Sequence, residues 1–458
     1  MVFLLPHRFA SILKCIKTKV IVGITMSEII ANGFCVNTIN GVNVKVEHFL
    51  GEGGQGSVYI VNYNGYKKAM IWYKKTRSGP RMLDYYKYMK QKVTHEAPSP
   101  EFLWRLDVTE IVNGSFGCIM DIRPEGYNEL SDYLLCKVKF KSYRAVINAA
   151  LQIVAAFRNM HNSGYYFHNI DMDAFLINSQ NGGVLICDND NIAPYGTEMD
   201  IMGKPRYMAP EIVLRKNKPN SLSDRFSMSV ILYILFCLNH PLEGKRYLVS
   251  GLTPALQEKL YGSEPLFIMD PDDNSNGPHP VVHRNSIVAW ACLPDYMQKI
   301  FLTAFSKEAF QKPSARPREV DWLNVLTRFR SEIVACQCGN EIFTQQGEPC
   351  KCEECGRKAN IPFRLLLCDY SIPAIKGNRI YRCQLGTCDE KDALFPVAQV
   401  VVKNDTCVWG LQNKTGIYWD AISATGMMKK VAPNEVVCLK EGIIIRVFGK
   451  TIKVEANK

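Results

Sequence analysis

Two groups of residues in this sequence have types and spacings that do chemistry. In LGEGGQGSVYIV, Gly51, Gly53 and Gly56 fall at G-x-G-x-x-G spacing, and Val58 follows. Glycines so placed let a hairpin backbone lie close over nucleotide phosphates, while the valine packs on the base. A plain structural turn explains the same glycines, so the pattern needs support from elsewhere in the chain. The second group is thiol chemistry. Of 17 cysteines, five crowd into residues 336–355, which read C-x-C-G, a spacer, then C-x-C-x-x-C. Cys336, Cys338, Cys352 and Cys355 form a four-thiolate set suited to tetrahedral zinc, with Gly339 and Gly356 allowing a tight turn behind each pair. Cys350 is an alternative to Cys352. A site with four filled positions supplies folding energy and no catalysis.

The elements that must position these groups follow from periodicity. Residues 43–73 alternate around the glycine cluster as three strands, 80–95 have helical spacing, strands resume at 102–122, and 128–163 read as two helices. Segment 164–193 has short apolar runs broken by Asn, Asp and Gly, which suits loops. From 222 to about 330 the pattern is helical, interrupted by a polar loop at 269–282. Strands first and helices after predict a two-lobed α+β domain. Beyond Ala359 alternation returns in FRLLLCDYSI, ALFPVAQVVVK and EGIIIRVFGKTIKVE, which predicts a small all-β sandwich.

The chain has 458 residues, 47% apolar and 22% charged, a globular composition for two or three domains. Its net charge of +11 is spread along the chain, which argues against a nucleic-acid stripe. Scattered cysteines in an odd number fit reduced thiols in the cytoplasm. The first 25 residues are basic, but their apolar runs are short and no clear cleavage site follows, so a start at Met26 fits equally. SMSVILYILFCL at 227–238 is too short to span a bilayer and reads as a buried core helix.

Gly203-Lys-Pro-Arg-Tyr-Met-Ala-Pro-Glu211 resembles the end of a protein-kinase activation segment. Asp224 opens the apolar run of the central helix in that likeness, and Arg316 is placed to pair with Glu211. With the glycine loop, these features imply a bilobal protein-kinase-like fold. FLWRLDV (102–108), IMDIRPEGYNELSDYL (119–134), ICDNDNI (186–192), HPLEG (240–244) and LYGSEPLFIMDPDDNSN (260–276) narrow the resemblance. They are similar to a bacterial kinase-like family of tellurium-resistance and stress-type gene clusters, often encoded beside von Willebrand A-domain proteins and metal-dependent phosphatases. The likeness covers roughly residues 44–330.

That resemblance also locates departures. Phosphoryl transfer needs a strand lysine on the α/β-phosphates, an aspartate to take the hydroxyl proton, and an Asn and an Asp on magnesium. KKAMIWYKK puts Ile71 at the lysine position. GYYFHNIDMDAFLIN puts Asn169 at the base and Ala174 at the metal-holding Asn. Only Asp188, in ICDND, keeps its family residue. Met120 falls at the back of the nucleotide pocket, with Asp121 and Ile122 beginning the hinge, and no acidic residue of MLDYYKYMKQKV stands where the helix glutamate belongs. Substitutes exist in the sequence: Lys67, Lys68, Lys74 or Lys75 for the lysine, and Asp171 or Asp173 for the base. The expectation is a pseudokinase without efficient transfer, in which Gly51, Gly53, Gly56, Val58, Met120 and Asp188 either bind ATP with magnesium or survive as structure alone. The alternative is an active Ser/Thr kinase with relocated catalytic residues.

The cysteine segment resembles a zinc ribbon, although its first pair, C-x-C, is one residue shorter than the standard. The order of GLQNKTGIYWDA, VAPNEVVCL and EGIIIRVFG is similar to forkhead-associated domains, which bind phosphothreonine. Asn413 and Gly377-Asn378-Arg379 lie near that family's motif positions, but its serine-and-histidine signature is not visible. The expected organisation is an N-terminal extension with a first strand (1–43), the kinase-like domain (44–330), the zinc ribbon (331–360) and the forkhead-associated-like β domain (361–458). Protein partners from the same gene cluster are implied, and neither a membrane nor nucleic acid is.

Overall fold

The structure is a computed structural model that describes residues 30–52, 56–74, 80–168, 170–187, 189–197, 203–344, 350–386, 392–403 and 407–457, the side chains of 80, 81 and 190 excepted. Gly53, Asn169 and Asp188 therefore lie outside the described residues. The chain forms two compact units, one running to His95 with Arg105–Ile122 added, the other comprising Glu96–Trp104 and everything from Arg123 on.

The first unit is built on one antiparallel sheet. Its strands are β1 (Cys35–Asn37), β2 (Asn43–Glu52), β3 (Gly56–Tyr63), β4 (Tyr66–Tyr73), β5 (Arg105–Val108) and β6 (Gly117–Met120), in the order β1-β2-β3-β4-β6-β5. Asn64 and Gly65 both have positive φ, so a two-residue Asn-Gly hairpin joins β3 to β4. Period-two alternation divides β4 between two cores. Met70 and Trp72 join Val44, Val46, Tyr59 and Val61 on one face. Ile71 and Tyr73 join Val108, Phe116 and Cys118 on the other, against Met82 and Met89 of helix α1 (Pro80–Lys92).

The second unit is helical at its centre. Helices α2 (Tyr143–Asn162), α3 (Ser221–Cys237) and α4 (Glu319–Ser331) share a core with Phe301 and Phe305. Asn220 and Ser223 close a capping box at the start of α3, and most of that helix is buried. A helix apolar all round belongs in a protein core, which agrees with the reading of 227–238. Among the described residues no helix is long and apolar enough to cross a membrane. Segment 164–193, expected as loops, contains four strands: β8 (Tyr165–Phe167), β9 (Phe175–Asn178), β10 (Val184–Ile186) and β11 (Ile192–Pro194), preceded by β7 (Tyr127–Glu129). They have three or four residues each, too few for alternation to register.

After α4, the short strands β12 (Ile333–Ala335) and β13 (Glu341–Phe343) pair with each other and lead to two antiparallel sheets. The first has the order β15-β14-β23-β22-β19-β20 and the second β16-β17-β18-β21. Their strands are β14 (Phe363–Leu367), β15 (Tyr370–Pro373), β16 (Arg379–Tyr381), β17 (Pro396–Lys403), β18 (Val408–Asn413), β19 (Trp419–Ile422), β20 (Met428–Val431), β21 (Val436–Cys438), β22 (Ile444–Val447) and β23 (Lys450–Ala456). Leu365, Val397, Leu411, Trp419, Ile445 and Val454 from both sheets meet in one core.

These sheets dock on α4. The Arg328 guanidinium lies 3.9 Å from the Tyr296 ring centre and 4.5 Å from that of Tyr370, a cation–π contact on both sides. The Tyr370 hydroxyl donates to Asn324 Oδ1 at 2.9 Å. Glu341, on β13, accepts the backbone N–H groups of Tyr143 and Arg144 at 2.6 and 3.1 Å. A carboxylate there satisfies orphan donors at the start of α2 and complements its dipole.

Candidate functional site

The glycine-loop positions belong to the first unit. A Cβ on Gly56 would lie 2.3 Å from the Trp72 carbonyl oxygen, so close strand packing alone requires glycine there. Gly51 has open space around a built Cβ, and no packing demand explains it. Val58 lies two residues beyond Gly56 on β3, opposite Gly51 on β2 and Ile71 on β4.

Ile71 is flanked in the ladder by Val58 and Cys118 and packs into the apolar cluster under α1. The residues of α1 in that cluster are Met82, Tyr85, Tyr86, Tyr88 and Met89. Ile71 thus packs against the apolar face of α1. Of the substitute lysines, Lys68 pairs with Asp121 and Lys74 pairs with Glu52 at 2.6 Å. Lys67 is exposed and Lys75 lies outside the described residues. Met120 is buried at the end of β6, where Arg105 Nη1 donates to its sulfur at 2.9 Å.

In the second unit Asp224 holds the end of β8. Its Oδ2 accepts the Phe167 backbone N–H at 3.0 Å and lies 3.0 Å from His161 Nε2. His161 Nδ1 is 3.0 Å from Glu319, and Glu319 is also held by Arg225 at 3.0 Å. Asp171 caps the turn Met172–Ala174 and pairs with Lys204. As a substitute base it would have to leave that ammonium. Ala174 is 2% exposed, and its carbonyl accepts the Cys187 N–H at 2.8 Å.

The segment 203–211 is held by the stretches that narrowed the sequence resemblance. Arg206 donates to Glu243 of HPLEG at 2.5 and 2.9 Å, and the Tyr261 hydroxyl donates to the same carboxylate at 2.9 Å. Burial pushes the His240 imidazole down to about 4, so it is neutral, and its Nε2 donates to the Arg206 carbonyl at 2.7 Å. Asn276, buried, donates to the carbonyls of Leu242 and Leu266. At the end of the segment Arg316 makes a bidentate pair with Glu211 at 2.8 and 2.7 Å. HPLEG and the 260–276 stretch are therefore structural buttresses, a role that motif likeness did not reveal.

Residues 44–259 match the protein kinase domain family. Curated relatives include maternal embryonic leucine zipper kinase of Xenopus laevis, 29% identical over 135 residues, 29% of this chain and 20% of that protein. The Danio rerio counterpart is 28% identical over 123 residues, 26% of this chain and 18% of that protein. CBL-interacting serine/threonine-protein kinase 13 of Arabidopsis thaliana is 26% identical over 104 residues, 21% of this chain and 20% of that protein. The chain thus spans about a fifth of the length of the curated relatives it matches. The chain carries a protein kinase fold with serine/threonine-kinase relatives.

The His161 network gives the kinase domain a pH-dependent stability. Burial alone would lower the His161 imidazolium and raise the Glu319 carboxyl. Their mutual hydrogen bonds, with Asp224 and Arg225, prevail, lifting His161 to about 9 and holding Glu319 at about 2. A histidine raised in the folded state stabilises fully below its unfolded value of about 6.5 and loses that contribution as pH passes about 9. Up to roughly 3 kcal/mol is involved. On the acid side Glu319 loses its contribution as pH falls toward about 2, while Asp224, raised by burial, partly offsets it. Thermal melts of the wild type should fall between pH 6.5 and 9 relative to a His161→Gln variant. Parallel curves for the two proteins would refute the assignment.

The structure brings Cys336, Cys338, Cys352 and Cys355 together, with all four sulfurs within 4.8 Å of one another. Cys336 lies 3.5 Å from Cys355 and Cys338 lies 3.4 Å from Cys352. A disulfide needs about 2.05 Å, whereas sulfurs about 2.3 Å from a tetrahedral zinc stand about 3.8 Å apart. Two knuckle turns support the set: Gly339 N–H donates to the Cys336 carbonyl and Gly356 N–H to that of Cys352, both glycines at positive φ. The donor set fits zinc, and it is Cys352 rather than Cys350 that joins it.

Asn413 and the Gly377–Arg379 turn occupy different surroundings in the C-terminal sheets. Asn413 is fully buried, donating to the Ile417 and Val431 carbonyls and accepting from Thr415. Its amide is a strut inside the fold. Arg379 is exposed, at the start of β16.

Proposed function

We propose that this chain is a pseudokinase: a kinase-fold signalling protein that binds ATP with magnesium but transfers phosphate inefficiently. The observation that carries the reading is Ile71 packed into an apolar cluster with α1, where a working kinase holds a lysine–glutamate pair. Ala174, buried at the end of the turn after Asp171, supports it, its side chain having no oxygen to offer a metal. So does the identity of Asn169, which has no proton affinity near neutral pH. Retention of nucleotide is supported by Gly51, whose missing side chain has no packing cause, and by Asp188 as a magnesium ligand. Cys336, Cys338, Cys352 and Cys355 would hold a structural zinc in a ribbon-like segment, and the C-terminal sheets would form a forkhead-associated-like sandwich. Protein partners are those the bacterial resemblance implies: a von Willebrand A-domain protein and a metal-dependent phosphatase of the same gene cluster, in the cytoplasm.

The rival reading is an active Ser/Thr kinase in which Asp171 leaves Lys204 to act as base. Thermal melts of the full chain test the nucleotide part. ATP with magnesium should raise the melting temperature, and less so without the metal. An unchanged melt at saturating nucleotide would leave a scaffold with no nucleotide role and defeat the proposal.

A further inference from the structure

The start of α2, the last turn of α4 and the turn into β16 enclose a cavity of about 330 Å³, near the lower end of small-ligand pockets. Arg144, Arg330 and Arg379 line it with Ser331, Asn378 and Tyr381, and no acidic side chain among the described residues does. The wall is built rather than incidental. Asn378, buried, donates to the Ser331 carbonyl at 3.0 Å, and its Oδ1 stands 3.5 Å from Arg144 Nη2. Gly377, at a φ of +87°, donates to the Val400 carbonyl and sets the turn.

The charge in this cavity is unbalanced. Arg330 Nε is buried without a hydrogen-bond partner among the described residues. Burial, and then the nearby Arg330, lower the Arg144 guanidinium from its usual value, so the two cations oppose each other. The carboxylate next to Arg144 is Glu341, whose oxygens already accept two backbone N–H groups of α2. Guanidiniums that line one cavity are relieved by an anion with several acceptor oxygens, and their forked donors match phosphate.

A second cavity of about 400 Å³ shares Thr327, Arg330 and Tyr381 with the first. Leu151, Ala155 and Leu394 give it an apolar wall, and Glu101 also lines it. Glu101 Oε2 is buried with no hydrogen-bond partner among the described residues, an acceptor suited to a hydroxyl group.

We propose that this pair of cavities binds a small phosphomonoester. Its phosphate sits among Arg144, Arg330 and Arg379, and its hydroxyl-bearing body lies along the second cavity toward Glu101. The site is independent of the glycine loop, so its test does not depend on nucleotide binding.

Calorimetric titration and thermal melts of the full chain should use inorganic phosphate, glucose 6-phosphate and glucose, with chloride at matched ionic strength. Both phosphates should bind, the ester more tightly, and glucose should not. Arg330→Gln and Arg379→Gln should each weaken both phosphates by about tenfold or more. Arg379 is exposed, so its variant keeps the unliganded melting temperature and serves if Arg330→Gln fails to fold. Glu101→Gln should narrow the gap between ester and free phosphate. The proposal is overturned if neither phosphate binds, or if binding is unchanged in both arginine variants, which would place the anion elsewhere. Binding of a phosphothreonine peptide with both small phosphates silent would also overturn it.

Discussion

Replacing Arg316 with alanine should destabilise the kinase domain by about 3–5 kcal/mol, the cost of leaving one member of a buried ion pair alone. The Arg316 side chain is fully buried and grips Glu211 through both terminal nitrogens. It also donates to the carbonyls of Ala309 and Leu222 and lies 5.4 Å from the Phe226 ring centre. Its loss strands a carboxylate and two carbonyls at once. Arg316→Lys should recover only part of the loss, because an ammonium cannot reproduce the planar fork. Glu211→Gln, which keeps the shape and removes the charge, should cost less than Arg316→Ala. Urea unfolding followed by circular dichroism checks the order. A loss below about 1 kcal/mol for Arg316→Ala would mean that the pair adds nothing beyond a surface bridge.

Removing the proposed zinc from the four-cysteine site should have an effect of comparable or larger size. In isolated zinc-finger peptides the bound ion contributes about 10–16 kcal/mol, since no preformed site exists without it. Here the cost is shared with the docked sheets, but it does not stay local. The knuckle at Cys336–Gly339 is continuous with β12 and β13, and Glu341 on β13 caps α2 of the kinase domain. Cys352→Ser should therefore release the metal and lower the melting temperature of the domain along with the knuckle. Cys350→Ser should keep the metal, because that sulfur is outside the cluster. Metal analysis of the purified chain decides the premise. Less than about half an equivalent of zinc in the wild type would rule out the site.

The parts of this fold that were legible in the sequence are those where one residue type answers a local demand. The buried run at 227–238 and the paired knuckle glycines are of this kind, whereas the Glu211–Arg316 pair came only through the kinase resemblance. Ile71 was read as a departure by resemblance alone, and the structure places it in an apolar cluster with methionine and tyrosine side chains of α1. What was not legible depends on residues far apart in the chain. Nothing in the spacing of His161, Asp224 and Glu319 shows that one imidazole bridges two carboxylates. The three arginines of the phosphate cavity come from α2, α4 and the turn before β16, and the sheet docking that closes it runs through Arg328 and Tyr370. The choice between Cys350 and Cys352 needed three dimensions for the same reason. Gly56 also answers a packing demand, and Asn413 is tied into carbonyls of its own sheet, neither of which its place in the sequence shows.

The central claim, a kinase fold without its phosphate-transfer chemistry, is tested most directly by turnover. Full-length protein, labelled ATP with magnesium and a mixture of generic serine- and threonine-containing substrates would be followed for label in any protein, this chain included. Active protein kinases turn over at about 1–100 s⁻¹, and the loss of three catalytic contacts should leave a rate at least about 10⁴-fold lower. Label accumulating within about a hundredfold of an active kinase, and vanishing in Asp171→Ala, would contradict the account and establish Asp171 as the relocated base.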